Sequence, residues 1–120
     1  MSCTPELRAE LIAEAKNLCG RCRRRFRERW LSVSRIVPGS AGGPYTAWNS
    51  HIACGDGTRG CHGWIEANPA AAEREVCQCG CGRPLRVAGE IRRGVFYGAD
   101  DAYRGVVAQA LAEALDAGGN

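Results

Sequence analysis

Eight cysteines and two histidines in a chain of 120 residues are the side chains with the most chemistry to offer. Cys19 and Cys22 bracket Gly-Arg, and Cys54 and Cys61 bracket Gly-Asp-Gly-Thr-Arg-Gly. Zinc takes four tetrahedral ligands, and two cysteine pairs in tight turns supply them with little backbone strain. The second spacing is wider than a standard knuckle, but its glycines let the loop curl until both sulfurs face one point. Four ordinary buried thiols are the plainer alternative. Paired spacing at both ends favours one structural Zn²⁺ on Cys19, Cys22, Cys54 and Cys61. A second group, Cys77, Cys79 and Cys81, alternates along the chain. In a strand, alternation would turn Cys79 away from the other two. Sharing a second zinc therefore requires a tight turn, with Cys3 or His51 as fourth ligand. Redox-active or simply buried thiols are the other readings.

Compartment decides between metal and disulfide. Residues 1–16 are charged and helical in pattern, without an apolar run or cleavage site, so no signal peptide is expected. No stretch approaches the roughly 20 apolar residues that span a bilayer. The expected setting is the cytoplasm of a bacterium or a phage-infected host, with reduced thiols serving as metal ligands. The net charge is +3, and 16 basic residues include a single lysine, an arginine bias typical of GC-rich coding. Aromatic residues are only 7% of the chain. A core so poor in large side chains gains from a metal.

The elements that must position these residues read as α+β. Thr4-Pro5-Glu6 has an N-cap hydroxyl, a proline at the first helical position and an early acid, which predicts a helix to about Asn17 with Leu7, Leu11, Ala15 and Leu18 on one face. Residues 31–37 alternate apolar and polar, predicting a strand. Residues 38–44 are a glycine-rich loop, and 49–53 a short second strand. A helix is expected over 62–68, with another turn of helix over 69–75. Residues 77–82 are too rich in Gly and Cys for regular structure. Segments 85–87 and 94–97 could form a small hairpin. Asp100 or Asp101 should cap a last helix to about Asp116, with Tyr103, Val107, Leu111 and Leu115 on one side and a loose tail over 118–120. Trp64, Trp48 and Tyr45 read as core. The division is 1–75, holding the first helix and the zinc unit, and 76–120, packed on the same domain.

A cysteine pair, a β-hairpin, a second pair and a helix is the order of a treble clef. In these residues the chain resembles the HNH endonucleases, especially the small HNH proteins of actinobacterial phages. The resemblance rests on Cys19-x₂-Cys22, Ile36-Val37-Pro38, Gly42-Gly43 and Asn49. It continues through Cys54-Gly55-Asp56-Gly57-Thr58-Arg59-Gly60-Cys61-His62-Gly63-Trp64-Ile65-Glu66 and Asn68-Pro69. It covers roughly residues 15–75. It implies a zinc-stabilised ββα unit with flanking helices, in which Asn49 orients the loop and His62 and Glu66, one helical turn apart, face a catalytic cation. The first strand departs from the family. Where a metal ligand and a general base are expected, this chain has Ser34 and Arg35, a poor ligand and a side chain that cannot accept a proton. His51 is the remaining histidine and a conceivable substitute.

Residues 21–29 hold Arg21, Arg23, Arg24, Arg25, Arg27 and Arg29, with Phe26 and Trp30 interleaved and Glu28 the lone acid. Arginine forks match phosphates and aromatic faces stack on bases. A solvated segment anchored by Phe26 and Trp30 is the plainer reading. Arg35 and Arg59, with Arg92 and Arg93, could extend the basic patch. The expected function is a zinc-binding, HNH-like protein that binds nucleic acid, DNA above RNA, with nuclease activity lost. Two alternatives remain. One is an active nicking enzyme using His62, Asn49 and Glu66 with Mg²⁺ or Mn²⁺. The other is an interaction module that acts on a host protein.

Overall fold

Thr4 opens the first helix as its sequence requires. Its hydroxyl accepts from the Leu7 N–H at 3.1 Å, and α1 spans Pro5–Glu14. The computed structural model describes residues 3–118. α1 stops short of the expected Asn17 because Lys16 and Asn17 both adopt left-handed φ, 54° and 61°. Leu18 therefore leaves the helical face and bridges Arg25 across the first knuckle.

The central hairpin is β1, Leu31–Arg35, paired antiparallel with β2, Ser50–Cys54. Both strands are slightly shifted from their expected bounds. The register sets Leu31 opposite Cys54, Val33 opposite Ile52 and Ser34 opposite His51. Strand alternation sends the first two pairs to one face and Ser32, Ser34, His51 and Ala53 to the other. Leu31, Val33, Ile52 and Cys54 join Leu11 and Ile12 of α1 in one core cluster. α2, Gly60–Ala67, follows the second knuckle, and the short α3, Pro69–Ala72, continues it.

The second hairpin is displaced from its expected position. β3 is Gly89–Arg92 and β4 is Val95–Gly98. Arg93 and Gly94 turn between them with φ of 50° and 77°, the two positive values that match the twist of a tight hairpin. Segment 85–87 is spent elsewhere: it lies buried along the first hairpin, with Leu85 N–H on Glu75 and Val87 N–H on Ile36. α4, Asp101–Gly118, is capped by Asp100, whose carboxylate accepts the Tyr103 N–H at 2.7 Å. Tyr103 and Val107 are buried in a second cluster with Ile36, Val37, Val87 and Phe96. Leu111 packs at its edge, but Leu115, expected on the same side, is 75% exposed. Trp48 and Tyr45 are half-buried against the two clusters rather than central to them. The expected loose tail falls mainly on residues 119–120, outside the described residues. The whole is α+β, with four α-helices and two two-stranded antiparallel sheets among the described residues.

Asn49 ties the halves together. Its amide donates to the Val37 and Pro44 carbonyls, both at 3.0 Å, and its oxygen accepts from the Val37 N–H at 3.0 Å and the Tyr103 hydroxyl at 2.6 Å. All four hydrogen-bonding positions of the amide are filled inside a fully buried site. Asn49→Ala should destabilise the protein by about 3–5 kcal/mol in urea unfolding, because four buried polar groups lose a partner together. Tyr103→Phe removes one bond and should cost about 1 kcal/mol.

Candidate metal centres and the polar face of the first hairpin

The four cysteines of the two knuckles converge. The sulfurs of Cys19, Cys22, Cys54 and Cys61 all lie within 4.8 Å of one another, at the junction of the first turn, the end of β2 and the first turn of α2. None of the eight cysteines is in a disulfide. Gly55 and Gly60 both take left-handed φ, 84° and 66°, which folds the long second spacing back on itself. A Cβ at Gly55 would fall 2.1 Å from the Arg59 carbonyl oxygen, so only glycine closes this loop. Backbone amides point at the sulfurs: Arg21, Cys22 and Cys54 N–H reach Cys19 Sγ at 3.4, 3.5 and 3.4 Å, and Cys61 N–H reaches Cys54 Sγ at 3.4 Å.

These donors favour thiolate over thiol. Burial pushes Cys19 up, but the amides of Cys22, Cys54 and Arg21 outweigh it and bring its pKa below the ordinary value. Burial pushes Cys54 up and drives Cys61 to about 12. Arg21 lies over the group: its guanidinium reaches Cys61 Sγ at 3.7 Å, pairs with Glu75 at 3.2 Å and stacks on Trp64 at 3.6 Å. Four converging sulfurs with N–H donors and a cation alongside could hold a metal ion such as zinc. Cys77, Cys79 and Cys81 form a second group with sulfurs within 4.8 Å, because residues 78–81 make the turn that alternation alone forbids. Cys3, expected among its ligands, stays apart and faces the Thr4 carbonyl at 3.6 Å.

The helix-facing side of the first hairpin differs from its expected arrangement. His62 and Glu66 do share one face of α2, with Nε2 3.4 Å from Glu66 Oε1. Both are already engaged. Ser32 Oγ meets His62 Nδ1 at 2.6 Å, and Arg86 Nη2 meets Glu66 Oε1 at 2.7 Å. A histidine with a carboxylate at Nε2 carries its proton there, so Nδ1 accepts the Ser32 hydroxyl. Burial lowers the His62 pKa despite the Glu66 carboxylate. Arg86 is only 5% exposed and depends on Glu66 for charge compensation. Ser34 shares this face and is fully buried with an unpartnered hydroxyl. Arg35 does not occupy the position of a general base beside His62. Alternation carries it to the opposite face, where it stacks on Tyr45 at 4.0 Å and donates to the Gly43 carbonyl at 3.2 Å.

The arginines also divide. Arg21 and Arg35 are consumed by the internal contacts above. Arg23 donates to the Gln78 carbonyl but remains exposed. Arg24, Arg25, Arg27, Arg29 and Arg59 are exposed, and Arg59 lies near Asp56 at 3.8 Å. Phe26 packs on the core, whereas Trp30, an anchor only on the plainer reading, is 54% exposed. Ser32 and Arg86 were not singled out from the sequence. Ser32 is the period-two neighbour of Ser34, and Arg86 is a lone charge between Leu85 and Val87, the pattern of a buried, paired ion.

Comparison of the chain with protein-family models, curated proteins and solved structures returned no match. Among the described residues, no helix is long and apolar enough to cross a membrane.

Metal binding at the four knuckle thiols must displace protons, because Cys54 and Cys61 favour the neutral form when metal-free. Affinity should accordingly rise with pH and fall under acid, with proton release on loading. Competition against a chromophoric chelator at pH 6 and pH 8 measures this. Cys19→Ser should lose one metal equivalent and unfold at a lower urea concentration. Glu66→Ala should lower stability by about 2–4 kcal/mol whatever the metal content, since it strands the buried Arg86 charge. An unchanged urea midpoint would contradict that structural role.

Proposed function

We propose that this protein is a zinc-stabilised, treble-clef nucleic-acid-binding protein of HNH-like design that holds DNA without cutting it. The observation that carries the reading is the occupation of the helix-facing site. His62 and Glu66, which the family resemblance would give to a catalytic cation, are bound instead to Ser32 and Arg86. Hydrolysis of a phosphodiester needs an activated water and a cation to stabilise developing charge. Ser32 and Ser34 on the strand offer neither a strong ligand nor a base, and the Arg86 guanidinium at Glu66 disfavours a divalent ion nearby.

Binding is assigned to the segment after the first knuckle. A shallow open groove is lined by Lys16, Asn17, Arg25, Phe26 and Arg27. Exposed Arg24 and Arg29 flank it in sequence, and the Arg29 guanidinium lies 5.3 Å from the ring of the exposed Trp30. Cationic side chains beside aromatic faces suit a phosphate backbone and unstacked bases. Zinc on Cys19, Cys22, Cys54 and Cys61 fixes that segment relative to the hairpin.

Fluorescence anisotropy with labelled duplex and single-stranded DNA and RNA tests the reading. Affinity for DNA should fall steeply with salt. Replacing Arg24, Arg25 and Arg27 by Ala should weaken binding to all sequences alike and lower the salt slope by about 2–3. Supercoiled plasmid should stay intact in Mg²⁺, Mn²⁺, Ni²⁺ or Zn²⁺. Nicking that disappears in His62→Ala would establish the enzyme instead. Absence of binding to any nucleic acid at low salt would favour a protein partner.

A further inference from the structure

The second cysteine group sits on the wall of a cavity of about 480 Å³ that it shares with His51. His51 lies on β2 and is 4% exposed. Its Nε2 faces the Leu85 carbonyl at 3.2 Å. A carbonyl only accepts, so Nε2 carries the ring proton and Nδ1 presents a lone pair. That Nδ1 is buried and has no hydrogen-bond partner. An imidazole oriented by a carbonyl on one nitrogen, with the other free, is the state in which proteins hold histidine ligands to metals.

The free nitrogen borders the thiols. A Cβ placed on Gly20 would lie 2.9 Å from Cys77 Sγ and 3.5 Å from His51 Nδ1, so the two atoms flank the same small space, which the missing side chain at Gly20 leaves open. Gln78 N–H bonds the Gly20 carbonyl at 2.7 Å and Gly20 N–H bonds Ile52 at 2.7 Å, fixing the cysteine turn against the first knuckle and β2. Cys77 is buried and its amide bonds Arg83 at 2.9 Å. Cys79 and Cys81 are exposed on a turn whose glycines, Gly80 and Gly82, have open space around them. Their sulfurs already lie within 4.8 Å of Cys77 Sγ and of each other. Arg83 Nε, 3.4 Å from Cys81 Sγ, supplies the positive charge that three thiolates around a divalent ion require.

We propose that Cys77, Cys79, Cys81 and His51 Nδ1 form a second, Cys₃His zinc site that fastens the cysteine-rich turn to β2. Three thiolates and one imidazole suit a tetrahedral borderline-soft cation such as Zn²⁺ rather than Mg²⁺ or Ca²⁺. This site is separate from the knuckle site and from the nucleic-acid reading, and its ligands come from other residues.

Zinc stoichiometry of the full chain, measured by elemental analysis after dialysis against a weak chelator, tests it. The wild type should hold two zinc ions per chain. Cys79→Ser with Cys81→Ser, both exposed, should hold one with helical circular dichroism unchanged. His51→Asn should also hold one, and Cys3→Ser should hold two. Cobalt substitution gives a second readout that does not need the His51 variant to fold. The spectrum lost in Cys79→Ser/Cys81→Ser should have its d–d bands at higher energy than those that remain, because imidazole exerts a stronger field than thiolate. One zinc in the saturated wild type, two in folded His51→Asn, or identical band positions for the lost and retained spectra would overturn the assignment. Loss of the knuckle site would show differently, as a defect in Cys19→Ser that leaves the turn cysteines competent.

Discussion

Four thiols within 4.8 Å of one another are an unstable arrangement on their own. Burial resists ionising Cys54 and Cys61, while the amides around Cys19 are arranged to receive a negative sulfur. A divalent cation held there would resolve the conflict by accepting all four as thiolates, with the Arg21 guanidinium offsetting the remaining charge. The positions of the first turn, the end of β2 and the start of α2 all follow from that convergence. So does the fate of Arg21, which could not serve a surface ligand while lying between Cys61, Glu75 and Trp64.

A second constraint acts at the opposite end of the hairpin. Asn49 fastens the loop after β1 through three backbone bonds and accepts a fourth from Tyr103. The last helix thereby closes that loop. Between these two anchors lies the polar face of the hairpin, where Ser32, His62, Glu66 and Arg86 form a continuous chain of contacts. The arrangement is an internal hydrogen-bond and ion-pair network that joins β1, α2 and the 85–87 segment.

The cysteine pairs, the α+β order, the capped first helix and the last helix were legible because each rests on local chemistry: ligand spacing, an N-cap, a period of apolar residues. What the sequence hid was set by tertiary context. Strand register decided that Arg35 would face Tyr45 rather than His62, and no local pattern records a facing. The left-handed φ values at Lys16 and Asn17 ended α1 against an intact helical periodicity. The second hairpin moved because the turn falls at Arg93-Gly94, which pairs 89–92 rather than 85–87 with the following strand. Arg86 could be recognised as buried only once Glu66 was seen to meet it from a different element.

The Asn49–Tyr103 bond joins residues 54 positions apart. On a ribosome adding about 5–20 residues per second, roughly 3–11 s separate the appearance of the two partners. Both knuckle pairs are complete within that interval. The nascent chain therefore has time to fill its four-thiol site and form the first hairpin before the loop after β1 acquires its last tether. With metal at the four thiols, folding during synthesis would divide into a metal-nucleated stage and a later docking stage. If zinc is the ion these thiols take, a cell short of it would stall the protein at the first of these stages, while its cysteines are still open to oxidation.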